Sequence, residues 1–272
     1  MEQGKICQSV LRIPYQQLFD SLSVDSTKLF RNCLHLLLGI IAVWNIAGCE
    51  LISPGPTPTP TPDLSVEEIV NRTSQAMLTV KSLHFTIDLT GALDYLDRPP
   101  TTALKHVDGD LLRPDKVRGL VKVSSLGVIT EIGLISIEGQ SYVTNPVNQR
   151  WELLPPEWGW YFDPRLPFDE EYGISAVIPY VPMEKKGVEQ IDNNFYYYLE
   201  GMAQAEQIIW WTAGMIPSGD VPVQVWIDTD TFLIHRVHLV ELASDPERPT
   251  EWDIRFSNFN QSLDIQAPPL TG

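Results

Sequence analysis

An uncharged apolar segment near the start of the chain limits which residues can belong to a folded domain. Residues 33–47 contain no Asp, Glu, Lys or Arg, follow a region containing Lys and Arg, and lead into small residues just before Cys49. This run is too short to span a bilayer comfortably, and it has the basic flank and small terminal residues of a signal peptide. We therefore expect residues 1–48 to comprise an extension and a signal peptide. A single transmembrane helix is the alternative interpretation.

The four residues that close this segment, Ile-Ala-Gly-Cys at 46–49, resemble the bacterial lipobox. In that motif a lipid is attached to the cysteine thiol and the leader is cut just before it. The resemblance implies that Cys49 is the lipidated N-terminus of a lipoprotein, anchored to the outer face of the cell membrane and extracytoplasmic. Residues 1–32 are long for the basic part of a leader. They are either a cytoplasmic extension or lie upstream of the true start.

A proline-rich stretch follows the cysteine. Residues 53–63 read SPGPTPTPTPD. Alternating prolines fix φ and remove amide donors, so this stretch is expected to be an extended tether. At about 3 Å per residue it would hold a domain roughly 30 Å from the membrane. We assign the lipidated cysteine and the Pro/Thr-rich tether to residues 49–63, and one folded domain to residues 64–270.

The composition excludes several classes of partner. The chain has 19 basic and 35 acidic residues, a formal net charge of −16. Such a charge repels phosphate backbones and anionic headgroups, which argues against nucleic acid as a partner and against membrane binding by charge. Of the three cysteines, only Cys49 lies outside the leader. The mature chain therefore has no internal disulfide, and its stability must come from burial.

The hydrophobic period changes from helical to alternating early in the domain. Residues 64–80 place apolar side chains at three- and four-residue steps, and Ser65 and Glu68 have capping-box spacing, which predicts an amphipathic helix. Immediately afterwards the apolar residues alternate, which predicts a strand with one buried face. The residues on that face are Leu83, Phe85, Ile87 and Leu89.

The remainder reads mainly as short strands separated by turns. Residues 151–172 are predicted to be an aromatic, proline-interrupted loop, residues 206–214 a helix, and residues 228–231 a hairpin turn. The acidic residues 169–171 precede an apolar run through Tyr180, which predicts the first turn of a short helix that Pro182 limits. We therefore predict an α+β fold, with a highly curved antiparallel sheet of about ten strands and three helices on one side. The other predicted strands are residues 101–108, 116–124, 128–137, 140–145, 187–190, 194–203, 221–227, 233–242 and 250–259.

Several segments, taken in order along the chain, carry a family resemblance. They are the lipobox, KSLHF at 81–85, IEGQSY at 137–142, Trp151, VWID at 225–228 with Arg236, FSNFN at 256–260 and IQAP at 265–268. Together they resemble the LppX and LprA/F/G type of bacterial lipoproteins. The resemblance implies a single half-barrel sheet with helices packed across its concave side, similar to the carrier LolA, around an apolar cavity for acylated lipids. Some members of that family are associated with lipid transport outward from the inner membrane.

The apolar faces of the predicted strands supply candidate ligand-binding residues. A sheet face lined by Leu, Ile, Val and Phe must be filled by side chains, by helices or by a ligand. For any one candidate, the pattern favours ordinary core over a ligand-binding role. The candidates are Leu83, Phe85, Ile87, Leu89, Ile132, Leu134, Val223, Val225 and Ile227.

Enzymatic interpretations find little support in the residues. The chain contains no Gly-x-Ser-x-Gly elbow, no phosphate-binding glycine loop and no spacing typical of a metal site, so we expect no catalytic residue, cofactor or metal. The aromatic stretch 151–161 is open to interpretation as a cavity lid, as core, or as a surface for sugars or a membrane interface.

We expect a membrane-anchored lipoprotein that is not an enzyme. It would bind the acyl chains of a lipid or glycolipid in an apolar cavity and carry or present that lipid in the cell envelope. The alternative is a non-carrier envelope interaction or sensor module with a filled core. An envelope hydrolase is a third hypothesis.

Overall fold

The computed structural model describes residues 63–96, 99–154 and 164–270. The predicted signal peptide, Cys49 and the tether up to residue 62 lie outside these residues. So do residues 155–163, which hold much of the predicted aromatic loop.

The first element is helix α1 (Val66–Thr79), as the periodicity predicts. Ser65 caps it, because its Oγ accepts a hydrogen bond from the Glu68 backbone N–H at 3.2 Å. The Glu68 carboxylate pairs with Arg72 one turn on. The helix buries a narrow face formed by Ile69, Val70, Thr73 and Met77.

Within the described residues, twelve strands form one antiparallel sheet that is not closed. The order across the sheet is β7-β6-β5-β4-β3-β1-β12-β11-β10-β9-β8, and β2 pairs with β3 beside this path. The strands are β1 (Ser82–Thr90), β2 (Asp94–Tyr95), β3 (Thr102–Leu112), β4 (Lys116–Ser125), β5 (Val128–Ile137), β6 (Gln140–Thr144), β7 (Trp151–Leu153), β8 (Met183–Ile191), β9 (Asn194–Gln204), β10 (Asp220–Asp228), β11 (Ile234–Glu241) and β12 (Thr250–Ser257).

Two short strands account for the difference from the predicted count of about ten. β2 has two residues and β7 has three, too few for an alternating pattern to be visible in the sequence. Strand β8 begins at Met183, earlier than predicted, and a register shift between Lys185 and Gly187 interrupts its pairing with β9. An irregularity of this kind hides the alternation before residue 187.

The remaining helices are shorter than predicted. α2 (Ile174–Val177) starts after Gly173, and the predicted acidic first turn lies ahead of it as a separate turn. In that turn Asp169 Oδ1 accepts hydrogen bonds from the backbone N–H groups of Glu171 and Tyr172. α3 (Ala205–Ile208) covers only the start of the helix predicted over residues 206–214.

The position of the two edge strands sets the course of the chain. β7 and β8 lie at opposite edges of the sheet, and the described residues 164–182, the crossover segment, come just before β8 in the chain. At the centre, β1 pairs with β12 through partners such as Phe85 and Phe256. Alternate residues of the strands are buried together on one side, the inner face, where they join α1 and the crossover segment in a single hydrophobic core.

Candidate functional site: an apolar cavity on the inner face

The nine candidate residues all lie within or against the hydrophobic core. Eight are buried, and Ile87 is partly buried against them. Phe85, Ile87 and Leu134 line a common apolar cavity. The other six candidates, Leu83, Leu89, Ile132, Val223, Val225 and Ile227, pack elsewhere in the core. A ligand-binding role for any of the nine stays a prediction.

The cavity has a volume of about 50 Å³ and an almost entirely apolar wall. A typical small-molecule site measures about 300–1,000 Å³, so this space must widen before it can hold an acyl chain. The sheet contributes Phe85, Ile87, Leu104, Val107, Val117, Gly119, Val121, Leu134 and Trp252, and two connecting segments contribute Pro164, Pro167, Phe168, Thr212, Ala213 and Met215.

A pair of glycines makes room for the aromatic wall of the cavity. Gly109 and Gly119 face each other across β3 and β4. A Cβ added to Gly109 would lie 2.8 Å from Cζ of Phe85 and 2.9 Å from the carbonyl oxygen of Arg118. Real Cβ atoms do not come this close to a backbone oxygen. The Phe85 ring therefore packs where only glycine leaves space.

Phe168 covers the cavity from the crossover segment. It is buried, its ring centroid lies 4.9 Å from that of Phe85, and it meets Phe256 edge-on at 6.2 Å. The aromatic cluster thus joins the crossover segment to β1 and β12, the two central strands. The sequence places Phe168 in an aromatic loop, but nothing in the local pattern identifies it as the residue that enters the core.

Arg113 holds the backbone of this cover in place. Its Nη1 donates to the carbonyl oxygen of Phe168 at 2.9 Å and lies 3.6 Å from Oε1 of Glu170. The Nε of Arg113 is buried without a hydrogen-bond partner, and burial lowers the pKa of the guanidinium. Arg113 thus satisfies the backbone carbonyl of Phe168, while its own Nε loses contact with water and gains no partner.

The second covering segment is a tight turn after α3. Thr212 Oγ1 donates to the carbonyl of Ile209 at 3.4 Å and accepts from the N–H of Ile216 at 3.2 Å. Ala213 and Gly214 have φ of +49° and +81°. α3 has already ended at Ile208, and these two left-handed residues close the turn that brings Met215 to the cavity.

Two carboxyl groups lie at the β2 end of the inner face. In the strand ladders, Asp94 on β2 lies opposite Leu104, which lines the cavity. Glu241 on β11 lies opposite the fully buried Thr250 on β12. Burial, followed by the negative charge of Glu241, raises the pKa of Asp94 to about 7. Burial also raises the pKa of Glu241. Asp94 and Glu241 lie far apart in the sequence, so no local sequence motif predicts that they come together.

The opposite, outer face carries paired charges. Arg236 forms a bidentate contact with Asp253 at 2.7 and 3.1 Å, and Arg255 donates to the same carboxylate at 2.8 Å. Arg236 also stacks over Trp226, whose Nε1 donates to Glu189 at 2.7 Å. These groups satisfy one another and do not form an arrangement with a nucleophile and a base.

Larger openings lie at the surface and are mostly polar. One of about 470 Å³ lies between β4, β6 and the C-terminal residues around Ile265, and another of about 430 Å³ lies beside Arg113. Across the described ranges, no three His, Cys, Asp or Glu side chains come together as a metal site. None of the described helices has the length and apolar character needed to cross a bilayer.

Comparisons with known proteins agree with this architecture. The LppX_LprAFG lipoprotein family matches residues 65–265. LprF from Mycobacterium bovis superposes with a TM-score of 0.57 at 17% identity, covering 74% of this chain and 96% of that one. LppX from Mycobacterium tuberculosis gives 0.52 at 15% identity, covering 74% and 97%. At these identities the superpositions establish the fold alone. No curated protein matches the chain significantly in sequence.

Proposed function

The chain belongs to the LppX_LprAFG lipoprotein family, and on that premise we propose that it is a lipid-binding protein of the cell envelope. It is lipidated at Cys49, anchored to the outer face of the membrane, and has no catalytic activity. It binds the acyl chains of a lipid or glycolipid in the apolar cavity and carries or presents that lipid. The single observation that carries the proposal is an apolar cavity on the inner face, covered by Phe168.

The cavity lining supports a strongly curved, half-barrel sheet. Leu134 on β5 and Trp252 on β12 line the same cavity of about 50 Å³, although β4, β3 and β1 lie between their strands. In a flat sheet, four strand spacings would separate them by about 19 Å. Bending brings them together, with Phe168 and the turn around Ala213 across the concave side.

The energetics favour exchange with a membrane over one-way capture. Burying about 15 methylene groups is worth on the order of 12 kcal/mol relative to water. A bilayer offers the acyl chain the same apolar surroundings, so the free energy of transferring it between bilayer and protein is close to zero. Opening then costs the exposure of Phe168, about 1.5–3 kcal/mol, and the Arg113 hydrogen bond, about 1 kcal/mol. A cost of this size keeps the empty carrier closed and the exchange reversible.

The proposal is tested by loading the protein with lipid. Native mass spectrometry of the full chain extracted from membranes should show co-purified lipid. A fluorescent acyl lipid should also move from vesicles to the protein. Val121→Phe puts a larger side chain into the cavity wall and should reduce loading strongly. Val128→Phe, at a residue that is 65% exposed, is the matched control and should leave loading unchanged.

A second candidate function is an envelope interaction or sensor module with a filled core. The small size of the cavity, about 50 Å³, favours this alternative. It predicts that the wild-type chain carries no lipid and exchanges none. That result would overturn the carrier proposal, whereas loading that depends on Val121 and not on Val128 would exclude the alternative.

A further inference from the structure

One wall residue of the cavity carries a hydrogen-bond donor that nothing satisfies. Trp252 is 2% exposed and pairs across the sheet with Leu89 and Leu239. Its side chain lines the cavity, and its Nε1 is buried without a hydrogen-bond partner. Buried indole N–H groups usually find an acceptor, so this one needs an explanation.

Trp252 is distinct among the cavity-lining residues. Within the described part of the chain, no other residue of the lining has a buried side-chain nitrogen or oxygen without a partner. The hydroxyl of Thr212, the other polar side chain of the lining, bonds to backbone groups of its own turn. The lining is therefore hydrocarbon apart from Thr212 and Trp252, and the indole N–H of Trp252 is the one donor that a lining residue of the described chain leaves unsatisfied.

A single donor in an apolar wall matches one chemical group of a lipid. An alkyl chain offers no acceptor, and an ether oxygen is a weak one. The carbonyl oxygen of an ester is a good acceptor, and it lies where an acyl chain begins. Pairing it with the indole N–H would satisfy both groups away from water, which is where an unmade hydrogen bond costs most.

We infer that Trp252 Nε1 donates a hydrogen bond to an ester carbonyl of the bound lipid, so that the cavity selects ester-linked acyl lipids over their ether-linked analogues. This inference rests on the proposed function and adds the chemical class of the ligand. The apolar lining binds two alkyl chains of equal length with the same affinity. The preference for an ester over an ether therefore comes from the Trp252 N–H group.

The test compares two lipids that differ only in the linkage. Dipalmitoylglycerol and its dihexadecyl ether displace a fluorescent fatty acid from the purified full chain, and the ratio of their dissociation constants is measured. One neutral hydrogen bond of about 1–1.4 kcal/mol corresponds to about 5–10-fold tighter binding of the ester. Trp252→Phe keeps an aromatic ring without the N–H, and the ratio should fall to about one.

Trp226→Phe is the matched control. Trp226 is also a buried tryptophan on a strand, but its Nε1 already donates to Glu189 and it does not line the cavity. This variant should keep the full preference for the ester. On the wild-type chain, the infrared absorption of a bound carbonyl-labelled ester should lie at lower wavenumber than that of the same ester in an alkane solvent, which tests the hydrogen bond without any variant.

The outcomes separate the inference from the proposed function. Equal affinity of the wild-type chain for ester and ether, or an ester preference that survives in Trp252→Phe, would overturn the inference and leave the carrier intact. An unshifted carbonyl band would also overturn it. If neither lipid displaces the probe, the proposed function fails and the inference fails with it.

Discussion

Replacing Asp94 by Asn should make the protein more stable at neutral and alkaline pH. The carboxyl of Asp94 lies on the inner face close to Glu241, and burial and that neighbouring charge raise its pKa from 3.8 to about 7. A buried carboxylate with a raised pKa destabilises the folded state when it is ionised. Asn has nearly the same shape and carries no charge.

The sign of the pH dependence follows from proton binding. Between about pH 4 and pH 7 the folded state holds the Asp94 proton while the unfolded state has lost it, so the free energy of unfolding falls as pH rises through this range. Above about pH 7 the loss is complete. The rise in pKa from 3.8 to about 7 corresponds to a loss of about 4 kcal/mol in the free energy of unfolding. We expect a loss of about 3 kcal/mol, because Asp94 is only partly buried.

Urea unfolding followed by tryptophan fluorescence from pH 4 to pH 8 measures this effect. The difference in free energy of unfolding between Asp94→Asn and wild type should grow from near zero at pH 4 to about 3 kcal/mol at pH 8. Asp192→Asn is the control, because Asp192 is exposed and has φ of +55°, which Asn tolerates. A difference that stays constant with pH, or that shrinks, would refute the reasoning.

Three further substitutions test the closed cavity. Phe168→Ala removes the ring that packs on Phe85, so the free energy of unfolding, measured by urea denaturation, should fall by about 3 kcal/mol. Acyl-lipid exchange with vesicles should become faster in the same variant. Arg113→Met removes the hydrogen bond to the Phe168 carbonyl, so amide hydrogen exchange in the crossover segment should speed up with little change elsewhere. Gly109→Ala brings a Cβ to 2.9 Å from the Arg118 carbonyl oxygen, so the free energy of unfolding, measured by thermal denaturation, should fall by about 2 kcal/mol.

Each of these expectations has a contrary result. Unchanged exchange in Phe168→Ala would mean that this ring does not close the cavity, and Phe195→Ala, at a 44% exposed residue, controls for loss of an aromatic side chain. Unchanged amide exchange in Arg113→Met would mean that other contacts hold the crossover segment. A Gly109→Ala variant as stable as wild type would mean that β3 and β4 shift apart without cost.

The sequence predicts the elements whose signal is local. Alternation at Leu83, Phe85, Ile87 and Leu89 correctly places β1, and the helical period with Ser65 correctly places α1. The helix predicted over residues 206–214 ends at Ile208, and the residues after it form turns that finish in left-handed Ala213 and Gly214. Periodicity reports which face of an element is apolar, and it does not report where a helix loses its hydrogen-bonding pattern.

The site depends on contacts that no local pattern contains. Trp252 falls on a predicted strand with buried neighbours at alternate positions, so its burial could be foreseen, but the absence of an acceptor is a property of the packed interior. Phe168 reaches the core because the chain must pass between opposite edges of the sheet. Asp94 acquires its high pKa from burial and from Glu241, which only the folded chain brings close.

The strand order also divides the protein into two contiguous pieces of sequence. Strands β1 to β7 form one meander and β8 to β12 form another, and the β1–β12 ladder is the hydrogen-bonded seam between them. A chain break between β7 and β8 would remove no rung of that seam. The fold is therefore suited to fragment complementation, with the break placed where Phe168 now bridges the two pieces.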